Sequence, residues 1–438
     1  MEKDQRTTDP DGRLLAKGIR RILGARGRVS RSDRPPLSGK AGAPTSDNWS
    51  PAALAQSQSF RHLAATAAAF FLVSFWLHFP GMYANVYSDL MDTLWQRIIH
   101  AAGILPYVSY KLEYPAVSAI VLYVSSLWGD MYAFYLSMSL ILFSCMLGTL
   151  FVVHRSLRER GQPVQAIAYF IIFTPSFIYF SIYSFDWIGA VLMVASIYFA
   201  HKRRAVRSGL FIGLAAAARM IPLVCLPFLF LEFKSRKNRL LLLVSAGAAW
   251  LGANSYFMAT DLQGFLYPYQ FQAGMGVEDS WLGLASPFAK EVSIIAFGAA
   301  LGLILLRRER FNLFQQTLLA VLAFVICSFK FPPQYMILLL PLFALTGVGY
   351  REFMVANVLN VMLILWWFTP AFNLGNALSV TSPVQLVAYA RQFLLYLVFV
   401  KLLARGGIRG SVPTEGEVRL EPQIPVVVPA LQKTPSGS

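Results

Sequence analysis

The residues with the clearest potential for chemistry lie in a polar stretch after the first apolar run. Four polar side chains recur at helical spacing on one side of residues 88–103: Asp89, Asp92, Gln96 and His100. Ser88 is placed to cap the start of this helix, and Gly103 is placed to end it. Such an amphipathic helix lies flat on a membrane with its polar side toward an aqueous cavity. At the positive end of the helix dipole, Asp89 is either an ionised carboxylate available for chemistry or simply a capping residue.

An aromatic segment bounded by prolines follows at residues 106–115. It carries three tyrosines, one lysine and one glutamate: Tyr107, Tyr110, Tyr114, Lys111 and Glu113. Flat apolar rings beside hydroxyl and charged groups suit a site for a sugar or a lipid headgroup. An aromatic belt at a membrane interface has the same composition without any ligand. The residue types alone leave both interpretations open.

Three further charged residues lie next to apolar runs, where ionisable groups are costly and usually functional. Asp186 stands between two such runs and is either a site residue or an ordinary loop residue. Arg219 follows a run of small residues, and its planar guanidinium suits a phosphate. Lys330 is a second cation, which serves either an anionic ligand or the end of the preceding helix. A polar loop predicted at 259–290 either closes over such a site or lies along the interface.

The elements that position these residues must be membrane helices. The 438-residue chain is 56% hydrophobic and 14% charged, whereas a soluble domain has about 25% charged residues. Long apolar runs recur from about residue 63 to residue 404, which excludes a soluble globular protein. The net charge of +16 would indicate nucleic acid in a soluble protein, but here it reflects Lys and Arg in cytoplasmic loops. We therefore expect no nucleic-acid partner.

Basic clusters between the apolar runs indicate the topology, because positive residues favour the cytoplasmic side. The first helix, at about 63–80, then runs outward, and residues 81–114 are external. The run 115–128 is short for a bilayer, which needs about 20 residues, and is predicted to be a re-entrant helix. Residues 209–233 are predicted to form a tight hairpin that turns near Arg219 and Pro222. Counting this hairpin, the sequence predicts an all-α polytopic protein with roughly twelve passes, an external juxtamembrane helix and the re-entrant helix.

The predicted domains are a basic cytoplasmic tail at 1–58, a transmembrane domain at 59–405 and a second cytoplasmic tail at 406–438. The tails are polar or proline-rich, and we expect them to be largely disordered. The sequence contains no P-loop, no dinucleotide-binding fingerprint, no zinc-protease motif and no nucleophile elbow. A nucleotide-sugar donor and ATP-driven chemistry are therefore unsupported.

Taken in order, four motifs resemble the GT-C glycosyltransferases. They are Tyr87-Ser88-Asp89, Pro106-Tyr107 through Glu113-Tyr114-Pro115, Gly209 through Arg219 to Pro222, and Pro332-Pro333-Gln334-Tyr335. The arrangement is most similar to the polyprenyl-phosphate-mannose-dependent mannosyltransferases, the branch with GPI mannosyltransferase I and bacterial and archaeal α-mannosyltransferases. The resemblance covers about residues 60–405.

The resemblance implies a fold, a reaction and a set of partners. It implies that Asp89 is a general base, with a polyprenyl- or dolichyl-phosphate sugar, mannose in the branch, as donor and a glycolipid or glycan as acceptor. It implies that the active site is external, on the non-cytoplasmic face. The basic clusters place both termini in the cytoplasm, and we expect a multi-pass protein among the lipids of the plasma membrane. The related GPI enzymes carry an Asp-x-Asp-like element, whereas Asp92 here is three residues after Asp89. This departure argues against a divalent metal requirement, and no cofactor is firmly implied.

The chemistry implied by the resemblance is physically coherent. An acceptor hydroxyl needs a base within hydrogen-bond reach, and Asp89 would supply it. The departing lipid phosphate needs cations rather than an acid, and Arg219 and Lys330 are candidates. Further candidates for substrate binding are Tyr107, Tyr110, Glu113, Tyr114, Asp186 and Asp92. Single displacement would invert the sugar. The same cations are also compatible with a transporter or flippase for a lipid-linked or anionic solute.

Overall fold

A computed structural model of the chain describes residues 51–82, 86–99, 103–285 and 287–406. Contacts between Cα atoms separate residues 1–54 from residues 55–438, and the site described below lies in the second unit. The predicted tails at 1–58 and 406–438 lie outside the described residues, except for 51–58 and 406. Residues 51–58 are helical, so the first helix begins inside the segment predicted to be a disordered tail.

The described residues form helices and connecting segments, with no β-strand among them, which confirms the all-α prediction. The helices are α1 (Pro51–Leu77), α2 (Asp89–Ile99), α3 (Ala116–Ser126), α4 (Met131–Glu159), α5 (Pro175–Phe180), α6 (Asp186–His201), α7 (Ala205–Ala218), α8 (Leu226–Glu232), α9 (Arg236–Thr260), α10 (Leu262–Gly274), α11 (Ala289–Leu306), α12 (Leu313–Cys327), α13 (Met336–Thr346), α14 (Tyr350–Trp367), α15 (Pro370–Asn373) and α16 (Pro383–Arg405). Helix α2 and the short segment Ala168–Ile172 are wound as π-helix, and 3₁₀ turns lie at Ile221–Cys225, Trp281–Ala285, Arg308–Arg310 and Pro333–Tyr335.

Five described helices are long and apolar enough to cross a bilayer. Their apolar stretches are Phe60–Leu77, Met131–Glu159, Arg236–Thr260, Ala289–Leu306 and Pro383–Ala404. Several shorter apolar helices lie between them, including α3, α6, α7 and α12. A polytopic membrane protein therefore accounts for the fold, while the predicted twelve passes stay a prediction.

The apolar stretch 164–180 is long enough to be counted as one of the predicted passes, but it is not a continuous helix. It consists of the π-helical segment Ala168–Ile172 and the short helix α5, whose first residue is Pro175. Proline has no backbone N–H to continue a helix from the preceding turn. The Thr174 hydroxyl accepts a hydrogen bond from the Phe177 amide instead and starts α5 as a new helix.

The segment predicted as a hairpin is broken where the sequence places the turn. Helix α7 ends at Ala218, Arg219 has extended backbone angles (φ −147°, ψ 137°), and a 3₁₀ turn containing Pro222 leads into α8. The Ala218 carbonyl, one of those left without a partner in the helix, accepts a hydrogen bond from the Ser118 hydroxyl of α3 at 2.8 Å. The short helix α3 thus holds the end of α7 and the position of Arg219.

Helices α7 and α9 pack so closely that two positions of α7, Gly209 and Gly213, leave no room for a side chain. A Cβ atom on Gly209 would lie 1.9 Å from the Ser245 hydroxyl oxygen, and one on Gly213 would lie 2.2 Å from the Ala246 carbonyl oxygen. Small residues at such spacing allow helix backbones to approach each other in membranes. The packing fixes α7 along its length and therefore fixes the residue that follows it, Arg219.

Two local expectations were wrong. The stretch 259–290 is not a loop, since it contains α10, capped by Asp261, and the 3₁₀ turn Trp281–Ala285. Ser88 does not cap α2 with its side chain; its hydroxyl donates to the Tyr183 carbonyl, while its amide donates to Asp92 Oδ2. The carboxylate of Asp92, not the Ser88 hydroxyl, therefore binds a backbone group at the start of α2.

Candidate active site

A polar cavity of about 340 Å³ lies beside the start of α2. Its walls come from α2, the segment 106–115, the end of α7, α10, the loop 275–280, the loop 328–335 and α14. The charged residues that line it are Asp89, Arg97, Glu113, Arg219, Glu278, Asp279 and Lys330. Aromatic residues complete the wall, among them Tyr87, Tyr114, Tyr183, Tyr335, Trp367 and Phe368. Acids, cations and flat rings in one cavity are the groups that bind and transform a polar ligand.

Asp89 is the first residue of α2 and is buried against the cavity. The following amide, that of Leu90, donates to the Tyr183 carbonyl at 3.3 Å, which ties the start of α2 to the segment before α6. The Gln334 side chain donates from Nε2 to Asp89 Oδ2 at 3.0 Å. One carboxylate oxygen is thus held in place by a residue 245 positions away in the sequence.

The surroundings of Asp89 raise the pKa of its carboxyl toward neutral pH. Burial raises the pKa of the Asp89 carboxyl to about 7. The nearby Tyr87 hydroxyl and the positive charge of Arg219 lower this pKa in part, while the carboxylates of Asp186 and Glu113 raise it. A carboxylate with a pKa near the working pH can accept a proton during a reaction and release it afterward. The pKa of Glu113 is also raised by burial.

Arg219 is buried in an ion pair and is therefore not the isolated cation that the sequence suggested. Its Nε lies 3.0 Å from Asp186 Oδ1, and its Nη2 donates to Asp186 Oδ2 at 3.0 Å and to the Ser184 hydroxyl at 2.9 Å. The Nη2–Oδ2 contact is a charge-assisted hydrogen bond, whereas the Nε–Oδ1 contact is an ion pair without hydrogen-bond geometry. Among the described residues, no hydrogen-bond acceptor is found for Nη1, so this nitrogen is available to a ligand in the cavity.

Aromatic rings surround the Arg219 guanidinium. Its carbon lies 4.4 Å from the ring centre of Phe185, 5.1 Å from that of Tyr114 and 6.0 Å from that of Tyr335. Cation–π contacts of this kind stabilise a desolvated guanidinium. Tyr114 is itself held by Tyr107, whose hydroxyl donates to the Tyr114 carbonyl.

Lys330 is paired too, since its Nζ lies 2.9 Å from Glu278 Oε2. The two loops that carry them are joined by backbone hydrogen bonds from the Glu278 amide to the Phe329 carbonyl and from the Phe331 amide to the Glu278 carbonyl, both 3.0 Å. The Lys330 side chain lines the cavity. Its ammonium group therefore faces the cavity and a carboxylate, and is not used to cap α12.

An apolar groove of about 650 Å³ adjoins the polar cavity. Six residues line both: Glu113, Tyr114, Arg219, Gln272, Lys330 and Tyr335. Beyond this shared boundary the groove is lined mainly by apolar side chains of the 3₁₀ turn after Arg219, α10, α11 and α12. On α11 it follows Ser293, Ile294, Phe297 and Leu301, about 12 Å of helix at 1.5 Å per residue. The boundary thus has charged groups on one side and apolar surface on the other.

The structure brings five of the predicted site residues to this cavity: Asp89, Glu113, Tyr114, Arg219 and Lys330. Four others lie off its wall. Asp186 lies behind Arg219, and Asp92 binds the Ser88 amide. Tyr107 is buried and holds Tyr114, and Tyr110 lies in the same segment, away from both the cavity and the groove. The geometry does not favour direct substrate contact by these four residues, because three of them bind other protein groups and Tyr110 lies away from the cavity and the groove.

Three residues near the cavity were not singled out from the sequence. Gln334 was quoted only within its motif, and Asp279 only within the loop 259–290. Arg391 was missed, although an arginine inside the apolar run 385–404 is a signal that the sequence carried. Its guanidinium is completely buried and donates to Asn360 Oδ1 at 2.6 Å, to the Phe331 carbonyl at 2.5 Å and to the Asp279 carbonyl at 3.2 Å.

Within the described ranges, no cluster of three or more His, Cys, Asp or Glu side chains is arranged to hold a metal ion. His100, which the sequence placed on the polar side of α2, lies outside the described residues.

Residues 112–328 match the model of glycosyltransferase family 87. The matched region begins just before Glu113, contains Arg219 and Asp279, and ends shortly before Lys330. No curated protein sequence matches the chain. Together with the apolar helices, the family match supports a membrane glycosyltransferase of the GT-C type.

Proposed function

We propose that this membrane glycosyltransferase moves a sugar, mannose, from a polyprenyl- or dolichyl-phosphate donor to a lipid- or protein-linked acceptor, with inversion at the anomeric carbon. The observation that carries the proposal is the polar cavity with Asp89 that opens into an apolar groove. A lipid-phosphate sugar has the same order of parts, with a polar sugar, a charged phosphate and an apolar chain.

The shared boundary is the proposed position of the phosphate. Arg219 and Lys330 both line it, and each faces both the cavity and the groove. The lipid chain would then lie along α11 in the groove, where it is removed from water. Burial of an isoprenoid chain stabilises binding by about 25 cal/mol per Å² of apolar surface removed from water.

Asp89 is the proposed general base. Its carboxylate would take the proton of the acceptor hydroxyl as the hydroxyl oxygen attacks the anomeric carbon. A new bond from this carbon to the acceptor oxygen forms while its bond to the phosphate oxygen breaks. The proton ends on Asp89, and the electron pair of the broken bond leaves on the lipid phosphate. Gln334 keeps the carboxylate oriented during this step.

The leaving phosphate gains negative charge, and positive groups at the boundary would stabilise it. Arg219 Nη1 and Lys330 Nζ are the candidates. A well-placed donor of this kind contributes about 3–4 kcal/mol to transition-state stabilisation. Because Asp186 and Glu278 neutralise part of both charges, the contribution here lies at the low end of that range.

The motif resemblance supports the sugar, and the charge distribution supports the side of the membrane. Mannose follows from the motif resemblance to the polyprenyl-phosphate-mannose enzymes. The non-cytoplasmic position of the site follows from the basic clusters, which place the loops opposite Asp89 on the cytoplasmic side. The same argument puts both termini in the cytoplasm of a cell whose plasma membrane contains the protein.

The test compares two donor classes with purified protein in lipid nanodiscs. One donor is a polyprenyl phosphate bearing labelled mannose, the other is a labelled nucleotide sugar, and a membrane lipid extract supplies acceptors. We expect label in a new glycoside only with the polyprenyl-phosphate donor. Transfer from the nucleotide sugar alone would overturn the proposed donor. In proteoliposomes, movement of labelled solute without a new glycosidic bond would instead establish the transporter alternative.

A further inference from the structure

Asp279 is a second buried carboxylate in the cavity, and the mechanism above does not use it. The residue is 1% exposed and lines the same cavity as Asp89. Gln385 donates from Nε2 to its Oδ1 at 3.3 Å. For Oδ2, the described part of the chain provides no hydrogen-bond donor, and no ion pair to the carboxylate is found there. Taking a charged carboxylate out of water without such partners is costly.

The position of Asp279 is held by a buried network that needs several parts of the chain. Arg391 donates to the Asp279 carbonyl and to the Phe331 carbonyl, and Asn360 accepts a hydrogen bond from the same guanidinium. The hydrogen bonds that Arg391 makes thus go to carbonyl groups rather than to the Asp279 carboxylate, although its positive charge lowers the pKa of that carboxyl. The network fixes the backbone and leaves the carboxylate for another partner.

The backbone of Asp279 is in the left-handed region, with φ at 53°. This conformation is unfavourable for a non-glycine residue, less so for aspartate than for most residues, and persists only when surrounding contacts enforce it. The Arg391 network and the paired backbone hydrogen bonds at Glu278 are those contacts. The chain therefore holds a strained residue so that its carboxylate lines the cavity.

Asp279 is close in sequence to a residue that contacts the boundary between the cavity and the groove. It directly follows Glu278, whose carboxylate pairs with Lys330 at that boundary. Consecutive Cα atoms are about 3.8 Å apart, so Asp279 is the immediate neighbour of the residue that pairs with Lys330. Asp279 lines the polar cavity and does not line the groove. The part of a donor next to its phosphate, on the polar side, is the sugar.

We propose that the Asp279 carboxylate accepts a hydrogen bond from a ring hydroxyl of the donor sugar and selects the sugar by that hydroxyl. This inference rests on the proposed lipid-phosphate-sugar reaction and names the residue that recognises the sugar. An ionised carboxylate has only acceptor sites, and sugar hydroxyls are donors that fill them without adding charge. Burial raises the pKa of Asp279 to about 7, and a hydroxyl donor would lower it by favouring the ionised form.

The experiment pairs Asp279→Ala with donors that lack one hydroxyl each. Donors are polyprenyl phosphates bearing the parent sugar or its monodeoxy derivatives, and kcat/KM is measured for each. A hydrogen bond to a charged group contributes about 1.5–3 kcal/mol, so wild type should lose about 10–150-fold with one of the deoxy donors. With the parent donor, kcat/KM of Asp279→Ala should be lower than that of wild type by the same factor. Removing that hydroxyl from the donor should not lower kcat/KM of Asp279→Ala any further. The other deoxy donors should lose equally in both proteins.

Two variants control for folding and for the loss of any carboxylate. Asp279→Asn keeps the size of the side chain, and thermal unfolding of each variant reports folding. Asp261→Asn removes a carboxylate outside the cavity while keeping a good helix cap for α10. It should leave the discrimination among deoxy donors unchanged.

Several outcomes would overturn the assignment of Asp279. If Asp279→Ala lowers kcat/KM relative to wild type by the same factor for every deoxy donor, the residue does not recognise one particular hydroxyl. A change confined to the KM of the acceptor would move its role to the acceptor. Loss of all turnover in Asp279→Asn, with Asp89→Asn still active, would make Asp279 the base. If wild type transfers no sugar at all, the proposed function fails, and equilibrium binding of the same donor series then decides whether Asp279 recognises the sugar.

Discussion

Replacing Arg219 with glutamine would leave the Asp186 carboxylate buried without its charge partner. The two side chains are 7% and 2% exposed and are joined by two N···O contacts of 3.0 Å, one of which is a hydrogen bond. Removal of one partner from a buried ion pair costs about 3–5 kcal/mol, because the remaining charge is desolvated and unpaired. Because the unfolding entropy is about 2.1 cal/mol/K per residue, in a protein of this size the melting temperature of Arg219→Gln should fall by roughly 3–6 °C.

The double variant Arg219→Gln, Asp186→Asn separates folding from catalysis. With neither charge present, the desolvation cost disappears, and most of the lost melting temperature should return. Turnover should not return, because the group that faces the leaving phosphate is still absent. Loss of one such partly neutralised electrostatic donor should lower kcat by roughly 10²-fold, the low end of the usual range.

The assay measures thermal unfolding and sugar transfer on the same purified samples. Arg155→Gln serves as the matched control, since Arg155 pairs with Glu159 at 3.0 Å with its side chain 56% exposed. Exposed pairs contribute about 0–1 kcal/mol, so this variant should match wild type in both measurements. Full activity in the double variant would refute the role given to Arg219, and an unchanged melting temperature in Arg219→Gln would refute the ion-pair argument.

The remaining predictions concern the base, its partner, the helix packing and the groove. In wild type, kcat/KM should rise tenfold per pH unit and level off above about pH 7, because burial raises the pKa of Asp89 to about 7 and only the ionised form accepts a proton. A kcat/KM that does not change with pH would contradict the role of Asp89 as the base. Asp89→Asn should lower kcat about 10²–10⁴-fold with donor affinity retained. Gln334→Ala removes a donor to the carboxylate, so the acidic limb should move to higher pH and kcat should fall about 10–100-fold. Gly213→Ala should lower the free energy of unfolding by at least about 3 kcal/mol, because its Cβ would lie 2.2 Å from the Ala246 carbonyl oxygen. Gly298→Ala has open space around its Cβ and should unfold at or above the wild-type temperature. Leu301→Trp should raise KM for long-chain donors more than for short-chain donors; equal KM changes would argue against the groove as the lipid site.

The helices could largely be predicted from the sequence because membrane helices depend on local features, namely apolar run length and the ends of the runs. The break near Arg219 and Pro222 and the short helix α3 lie where the patterns indicated them. The interruption of 164–180 was visible as Pro175 but was not used. Helix α10 was missed because residues 262–274 are mixed polar and aromatic, with Pro268 inside, and the sequence pattern resembled a loop.

The site was less accessible to sequence reasoning because its contacts join distant residues. Local patterns picked out Asp89 and Arg219, since each is an ionisable group beside an apolar run. The ion pair between Arg219 and Asp186 joins α6 to the end of α7, and the Gln334 contact to Asp89 spans 245 positions. No periodicity reports such pairs. The groove is likewise formed by faces of several helices, none of which is unusual by itself.

The most direct test of the central claim is the anomeric configuration of the product made by purified protein. The reaction contains a polyprenyl phosphate bearing β-linked, anomerically ¹³C-labelled mannose and a membrane lipid acceptor, and NMR reads the one-bond coupling of the labelled carbon. We predict an α-linked product from wild type and a rate of product formation about 10²–10⁴-fold lower from Asp89→Asn. A β-linked product, or a product of either configuration formed at the wild-type rate by Asp89→Asn, would contradict single displacement assisted by Asp89.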